Sequence, residues 1–258
     1  MKILFMGPNP TDPKRNGGES HSQQLVRSYA APGTEIDFAS PDDYVGAHVL
    51  VKIAGESALP GLHHVISTTN FIRKVAWAEA NGYDAVIMSN TFDPGVEAAR
   101  LAVKIPVIGV QRVALHTATV LAGRIALTVP FQSHVYETWK IVRSYGMENF
   151  VKDIRPIGMY PGNMGTSDNL KNATIQVMKD QIAACSPEYI VPLGGALIPY
   201  VVDPKELEAA VGVPVLNTKV AAIKFAEMCV NFGMSQSNVA YPRVGSITPE
   251  DFNMPAFS

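Results

Sequence analysis

Three polar turns follow apolar, β-branched runs in this sequence, and each is of a kind that can hold an anion. Ser89-Asn90-Thr91 follows Ala85–Met88, Gly194-Gly195 follows Ile190–Leu193, and Asn217-Thr218 follows Val213–Leu216. Asn9 stands in a similar place after Ile3–Met6. Backbone N–H groups at strand-to-helix turns, with helix amino termini behind them, bind carboxylates and stabilise enolates or oxyanions. Ser, Asn and Thr also favour helix caps, so a plain capping turn is the competing reading of 89–91. Gly194-Gly195 either leaves room for substrate or simply makes a tight turn.

Side chains that could move protons or bind charge are scattered around these turns. His134 follows Val129-Pro130-Phe131 near the expected start of a helix, and Tyr160 opens a Gly/Pro-rich loop over 160–165. That loop is either a lid or a connector. Arg112, Arg155 and Lys219 are candidate cations for a carboxylate, with ordinary surface charge as the alternative for each. His116 reads first as a core or supporting histidine. The catalytic candidates are therefore Ser89, Asn90, His134 and Tyr160. The substrate-binding candidates are Asn9, Thr91, Arg112, Gly194, Gly195, Asn217 and Thr218.

Several chemistries are disfavoured. No histidine pair has the His-Glu-x-x-His or a related metal spacing. Gly7-Pro8-Asn9 and Gly194-Gly195 lack dinucleotide or phosphate-loop spacing, and Ser89 has no Gly-x-Ser-x-Gly context. Neither a metal nor an organic cofactor is expected. The two cysteines, Cys185 and Cys229, are far apart and form no disulfide framework. Cys229 falls on an apolar helix face, which favours a packing role.

The elements that must position these groups are legible as alternation. Strands are expected at Ile3–Met6, Glu35–Phe38, Ala85–Met88, Val107–Val110, Ile125–Val129, Ile190–Leu193 and Val213–Leu216, with a weaker one over 47–53. Helices are expected over 63–81, 94–103, 112–122, 132–144, 168–184, 204–211 and 218–232. Asp93-Pro94 and Asp203-Pro204 read as caps followed by first-turn prolines. Residues 10–20 read as a loop. Strands and helices in this order imply parallel sheets covered on both faces, which bind ligands beyond the carboxyl ends of their strands. Residues 83–89 and 187–194 resemble each other, as do 104–109 and 211–216. The fold class expected is α/β, with two similar parallel-sheet halves and a ligand cleft between them. The first lobe would comprise 1–104 plus 217–258, and the second 105–216.

Composition narrows the partners. Of 258 residues, 47% are hydrophobic and 17% charged, with a net charge of −2, so the chain is globular and carries no nucleic-acid footprint. The apolar amino terminus is too short for a signal segment or a membrane span, and a cytoplasmic location is expected. A small anionic or cyclic-amide substrate fits, without nucleic acid or membrane, in a homo-oligomer.

Several segments, in order, resemble the aspartate/glutamate/hydantoin racemase superfamily, and most of all its hydantoin racemase branch. They are Ile3–Pro10, Ala31–Ile36, Ser89–Arg100, Ile105–Gly109, Ala114-Leu115-His116, Gly123-Arg124, Tyr145-Gly146-Met147, Ile190–Ala196 and Gly212–Val215. The resemblance implies an active site with two cysteines facing each other across the substrate α-carbon, one removing a proton and the other supplying one. It places the first at Ser89 or Asn90 and the second at Gly195, so neither thiol is present. What it leaves is the anion cradle of the turns. Three functions stay open: hydrolase or lyase chemistry through an oxyanion or enolate, isomerisation by non-sulfur acid/base groups, and non-catalytic binding of a small anion.

Overall fold

The structure is a computed structural model, and it describes residues 1–7, 20–39, 60–159, 165–194 and 197–243. Among the described residues, apolar, β-branched segments form seven strands: β1 (Lys2–Met6), β2 (Glu35–Ala39), β3 (Ala85–Met88), β4 (Val107–Gly109), β5 (Ile125–Val129), β6 (Val151–Pro156) and β7 (Tyr189–Pro192). The helices are α1 (His21–Ser28), α2 (Pro60–Ala80), α3 (Val96–Ala99), α4 (Val110–Leu121), α5 (Gln132–Ser144), α6 (Ser167–Cys185), α7 (Pro204–Val211) and α8 (Thr218–Asn231).

Two parallel sheets result, with strand orders β2-β1-β3-β4 and β6-β5-β7. In the second, an isolated parallel bridge from Ile190 to Val215 adds the beginning of a fourth strand beside β7. Both sheets therefore run second, first, third, fourth in chain order, and the repeat in the sequence is a repeat of topology. The chain divides into two compact units, one holding β1–β4, α1–α3 and the chain from Ala222, the other holding Gln111–Ala221. The sequence places 105–109 in the second lobe, yet β4 hydrogen-bonds to β3 in the first sheet.

Each sheet is buried as parallel sheets must be. Every residue of β3 and of β5 is buried. In the first unit Leu4, Met6, Val86 and Met88 pack against Phe71, Val75 and Ala78 of α2. In the second, Ile125, Leu127 and Val129 face α4 and α5, while Ala126 and Ile190 face Leu170 and Met178 of α6. Burial of large aliphatic side chains at about 1.5–3 kcal/mol each is the main force holding these layers.

Three local departures from the sequence reading have physical causes. β6 is an edge strand with only Val151 and Ile154 buried, so its charged Lys152, Asp153 and Arg155 hide the strand pattern. α1 is set by a capping box: Ser20 takes the Gln23 N–H while the Gln23 side chain takes the Ser20 N–H. The helix expected over 94–103 is one turn only, capped by Gly95 at φ 76° rather than by Asp93. The 47–53 strand, and the 10–20 loop up to residue 19, lie outside the described residues. No described helix is long and apolar enough to cross a membrane.

Candidate functional site

In a parallel sheet every strand ends at the same edge, so residues just after β1, β3 and β4 share one edge of the first sheet. The β3 turn is the most polar of these. The Ser89 N–H donates to the Met6 carbonyl, which ties the turn to the end of β1. Asn90 Oδ1 accepts from the Phe92 N–H at 2.9 Å, and the Asp93 N–H donates to the Asn90 carbonyl. Thr91 is buried. These bonds make the turn self-supporting, and the Asn90 oxygen is used to build it.

Asp93 is the residue that sequence reasoning missed here. Read as a helix cap, it instead adopts the left-handed conformation, φ 50°, uncommon outside glycine. Its carboxylate lies against the end of β4: a Cβ placed on Gly109 would stand 2.3 Å from Asp93 Oδ2. Glycine at 109 is thus what admits the carboxylate to the sheet edge. An outlying backbone at a strand-end turn is a pointer toward function. The signal available in the sequence was Gly109 at the end of a strand, paired with an acid in a turn that also holds Gly95.

At the matching edge of the second sheet the turns are built differently. Gly194 follows β7 at φ 108°, and a Cβ there would stand 2.7 Å from Pro130 Cγ. No side chain fits, so Gly194 brings bare backbone to the end of β5. Asn217 Oδ1 accepts from the Lys219 and Val220 N–H groups at 3.1 Å each and caps α8. The Thr218 hydroxyl is buried and has no hydrogen-bond partner among the described residues. Lys219 is fully buried, its ammonium 5.8 Å from the centroid of the Tyr200 ring. His134 stands in the first turn of α5, after β5, with its ring 5.9 Å from that of Phe131 and its Nδ1 buried. The second-sheet edge therefore gathers His134, Gly194, Asn217, Thr218 and Lys219.

Other candidates are placed elsewhere or engaged. The Arg112 guanidinium lies 5.0 Å from the Tyr145 ring centroid, drawn toward the segment that enters β6. His116, exposed at its edge, sits 6.4 Å from the same ring. The packing there and the nearby Arg112 charge hold its imidazole below the ordinary value. Arg155 pairs with Asp153 at 2.6 Å in the same strand. Asn9, Tyr160 and Gly195 lie outside the described residues.

Neither cysteine lies in these strand-end turns. Cys185 ends α6, just before the start of β7, at the opposite edge of the second sheet from Gly194. Its thiol donates to the Gln181 carbonyl, and burial and the Asp153 charge push it up. Cys229 is buried eleven residues beyond Thr218 in α8, roughly 16 Å along the helix at 1.5 Å per residue. Burial pushes its thiol up as well. A thiol raised in this way is a poor source of the thiolate that proton abstraction from carbon requires. Among the described residues no group of three or more His, Cys, Asp and Glu could hold a metal ion.

Comparison with known proteins agrees with this architecture. A hydantoin racemase from Pseudomonas sp. (strain NS671) is 28% identical over 241 residues, covering 93% of this chain and 90% of the relative. The crystal structure of an allantoin racemase from Pseudomonas fluorescens superposes with a TM-score of 0.80 at 22% identity, covering 96% of this chain and 99% of that one. An arylmalonate decarboxylase, as its Gly74Cys mutant, shares the fold with a TM-score of 0.58 at 18% identity, covering 90% and 94%. The family model for Asp/Glu/Hydantoin racemase matches residues 20–226. The chain belongs to the Asp/Glu/hydantoin racemase family of enzymes.

Proposed function

We propose that this enzyme acts without a cofactor on a small carboxylate, cyclic amide or lactone, and that it stabilises an enolate or tetrahedral oxyanion with the N–H donors of its strand-end turns. The observation that carries this reading is the placement of sulfur. Cys185 precedes β7 rather than following it, Cys229 is buried in α8, and both thiols are pushed up, which supports a chemistry other than two-thiol proton exchange.

The chemistry that fits is hydrolase- or lyase-type. In a lyase step, a substituted malonate would lose carbon dioxide and leave an enolate, which then takes one proton at its α-carbon. Donors already aimed at the developing oxyanion lower that barrier without reorganising. Ser89, Asn90 and Thr91 supply the turn in the first unit, and the Asp93 carboxylate beside Gly109 on that edge is a group that could hold or deliver the proton. In the second unit Gly194 supplies backbone, and His134 is the acid/base candidate.

A second reading is favoured by the 28% identical hydantoin racemase: isomerisation at an α-carbon, with Asp93 or His134 doing the work of a thiol. One experiment separates the two. Substituted malonates, hydantoins, amino acids and lactones are incubated in D₂O, and products are followed by mass spectrometry and chiral chromatography. The preferred reading expects a changed skeleton, by loss of carbon dioxide or ring opening. Deuterium at an otherwise unchanged, epimerised α-carbon would replace it with the second. Neither change across the panel, with ligands nonetheless bound, would reduce the chain to an anion-binding protein.

A further inference from the structure

We propose that the chain over 235–243 is a brace that positions the turn after β3, with Arg100 and Tyr241 as its positioning residues. Together they hold α3 on β4, so that the Asp93 carboxylate stays at Gly109. The claim of positioning stands on contacts within the first unit, and its consequence for rate rests on the function proposed above.

The bonds inside the turn shape it and tie its start to β1, but its far end runs into α3. That helix has four residues, Val96–Ala99, too few to be stable without tertiary contacts. Arg100 ends it, with a side chain only 13% exposed. Its Nε donates to the Val107 carbonyl at 3.1 Å, and its guanidinium donates to Glu97 at 2.8 Å and to the Tyr241 hydroxyl at 3.2 Å. The Tyr241 hydroxyl in turn donates to the other Glu97 oxygen, and the guanidinium lies 5.3 Å from the centroid of the Tyr241 ring. A tyrosine 141 residues from Arg100 thus closes a ring of charge-assisted bonds on α3. Val107 stands two residues before Gly109 in β4. Arg100 and Asp93, which flank α3, therefore dock the turn on that strand at two points about 7 Å apart.

The rest of the brace is fastened along the outer edge of the first sheet. Among the described residues β4 ends that sheet, and side chains take the Val107 backbone where a further strand would otherwise pair. Gln236 Oε1 accepts the Val107 N–H at 3.3 Å, beside the Arg100 bond to the carbonyl. Gln236 Nε2 donates to the Val103 and Ile105 carbonyls at 2.9 and 3.0 Å, and the Ser235 hydroxyl donates to the Lys104 carbonyl. Beyond Tyr241, Arg243 pairs with Glu79 at 3.1 Å, whose other oxygen takes the Lys104 N–H at 2.6 Å. Covering an edge strand needs only partners for its backbone. The bonds from Tyr241 to Glu97 and Arg100 reach past the strand to the helix that follows the site turn, and that reach points to positioning.

Hydrogen–deuterium exchange on the intact chain reads the brace without any substrate. Amides over 89–99 should exchange about 5-fold faster in Tyr241→Phe, which keeps the ring and removes only the hydroxyl, and about 10-fold faster in Arg100→Met. Arg100→Lys should not restore the wild-type rate, because an ammonium lacks the fork that reaches Val107 and Tyr241 together. Amides of β1, buried in the same unit, should be unchanged and serve as the reference. On any panel compound that is turned over, Tyr241→Phe should lower kcat by about 5- to 10-fold with KM within about 2-fold, as misplacement of a reacting group does. Unchanged exchange over 89–99 in Tyr241→Phe overturns the brace. So does an equal rise in β1, which would mark a loss of stability throughout the unit. Faster exchange over 89–99 with kcat unchanged upholds the brace and removes this turn from the proposed site. Faster exchange with no panel compound turned over upholds the brace and removes the proposed function.

Discussion

The turns after β3 and β7 hold corresponding places in two sheets of the same strand order, yet they are made of different material. The first is built from side chains: Ser89, Asn90, Thr91 and the Asp93 carboxylate against Gly109. The second is built from backbone at Gly194, with a capped helix terminus and a buried lysine beside it. One repeat has become acidic and side-chain-rich, the other cationic and backbone-rich. A duplicated frame therefore fixes where groups can stand, while single residues at the strand ends decide what they do.

Two glycine substitutions break the comparison most severely. Gly194→Ala meets both a positive φ and Pro130, and should destabilise the second unit by about 2–5 kcal/mol, measured by denaturant unfolding. Gly109→Ala meets the Asp93 side chain first, not backbone, and sits at an ordinary φ. It should leave stability within about 1–2 kcal/mol of wild type but cut turnover by about 10²-fold. Equal stability losses in the two variants would erase the distinction between a backbone turn and a side-chain turn.

Next in size is the side-chain turn itself. Ser89→Ala should reduce kcat by about 10²-fold, with KM changing less, as loss of a group acting on the oxyanion does, and Asn90→Ala should do the same by loosening the turn that aims the donors. Unchanged turnover in both would remove this turn from the site. Asn217→Ala tests the second unit on a smaller scale. It removes a cap from α8 and should cost about 1 kcal/mol, or about 2–4 °C in Tm.

The smallest effect lies at the other edge of the first sheet. Burial raises the Asp37 carboxyl, but hydrogen bonds from Tyr83 and Lys2 outweigh it and hold the group below its ordinary value. A lowered carboxyl contributes stability above its unfolded value, about 3.9, and that contribution is lost as the pH falls through the folded value. Tyr83→Phe should therefore be less stable than wild type at pH 7, by no more than about 1 kcal/mol for so exposed a carboxylate, and the gap should close below about pH 4. A gap that persists at pH 2 would assign the effect to packing.

Much of this was legible from the chain alone, for reasons that the particular elements show. β3 and β5 are buried along their whole length, so their apolar runs mark them without ambiguity. β6 is half charged because one side of an edge strand meets water, and periodicity fails there. α1 was announced by Ser20 and Gln23, a local signal that apolar patterning does not weigh. At the site, positions following strands could be read, since the backbone dictates them. Roles could not. Asn90 and Asn217 spend their side-chain oxygens on the turn and the cap, and Asp93 reaches the sheet edge only because Gly109 lacks a Cβ. Each of these depends on a three-dimensional neighbour far along the chain or on a dihedral angle that no spacing records.

The claim beneath all of this is that the enzyme works without sulfur. Replacing Cys185 and Cys229 together with alanine gives a chain with no thiol at all. Steady-state kinetics of that variant on any compound the wild type turns over should give kcat/KM within about 3-fold of wild type, less than the 1.4 kcal/mol that a tenfold change represents. A loss of 10²-fold or more in a variant that still folds would show that a thiol does the chemistry.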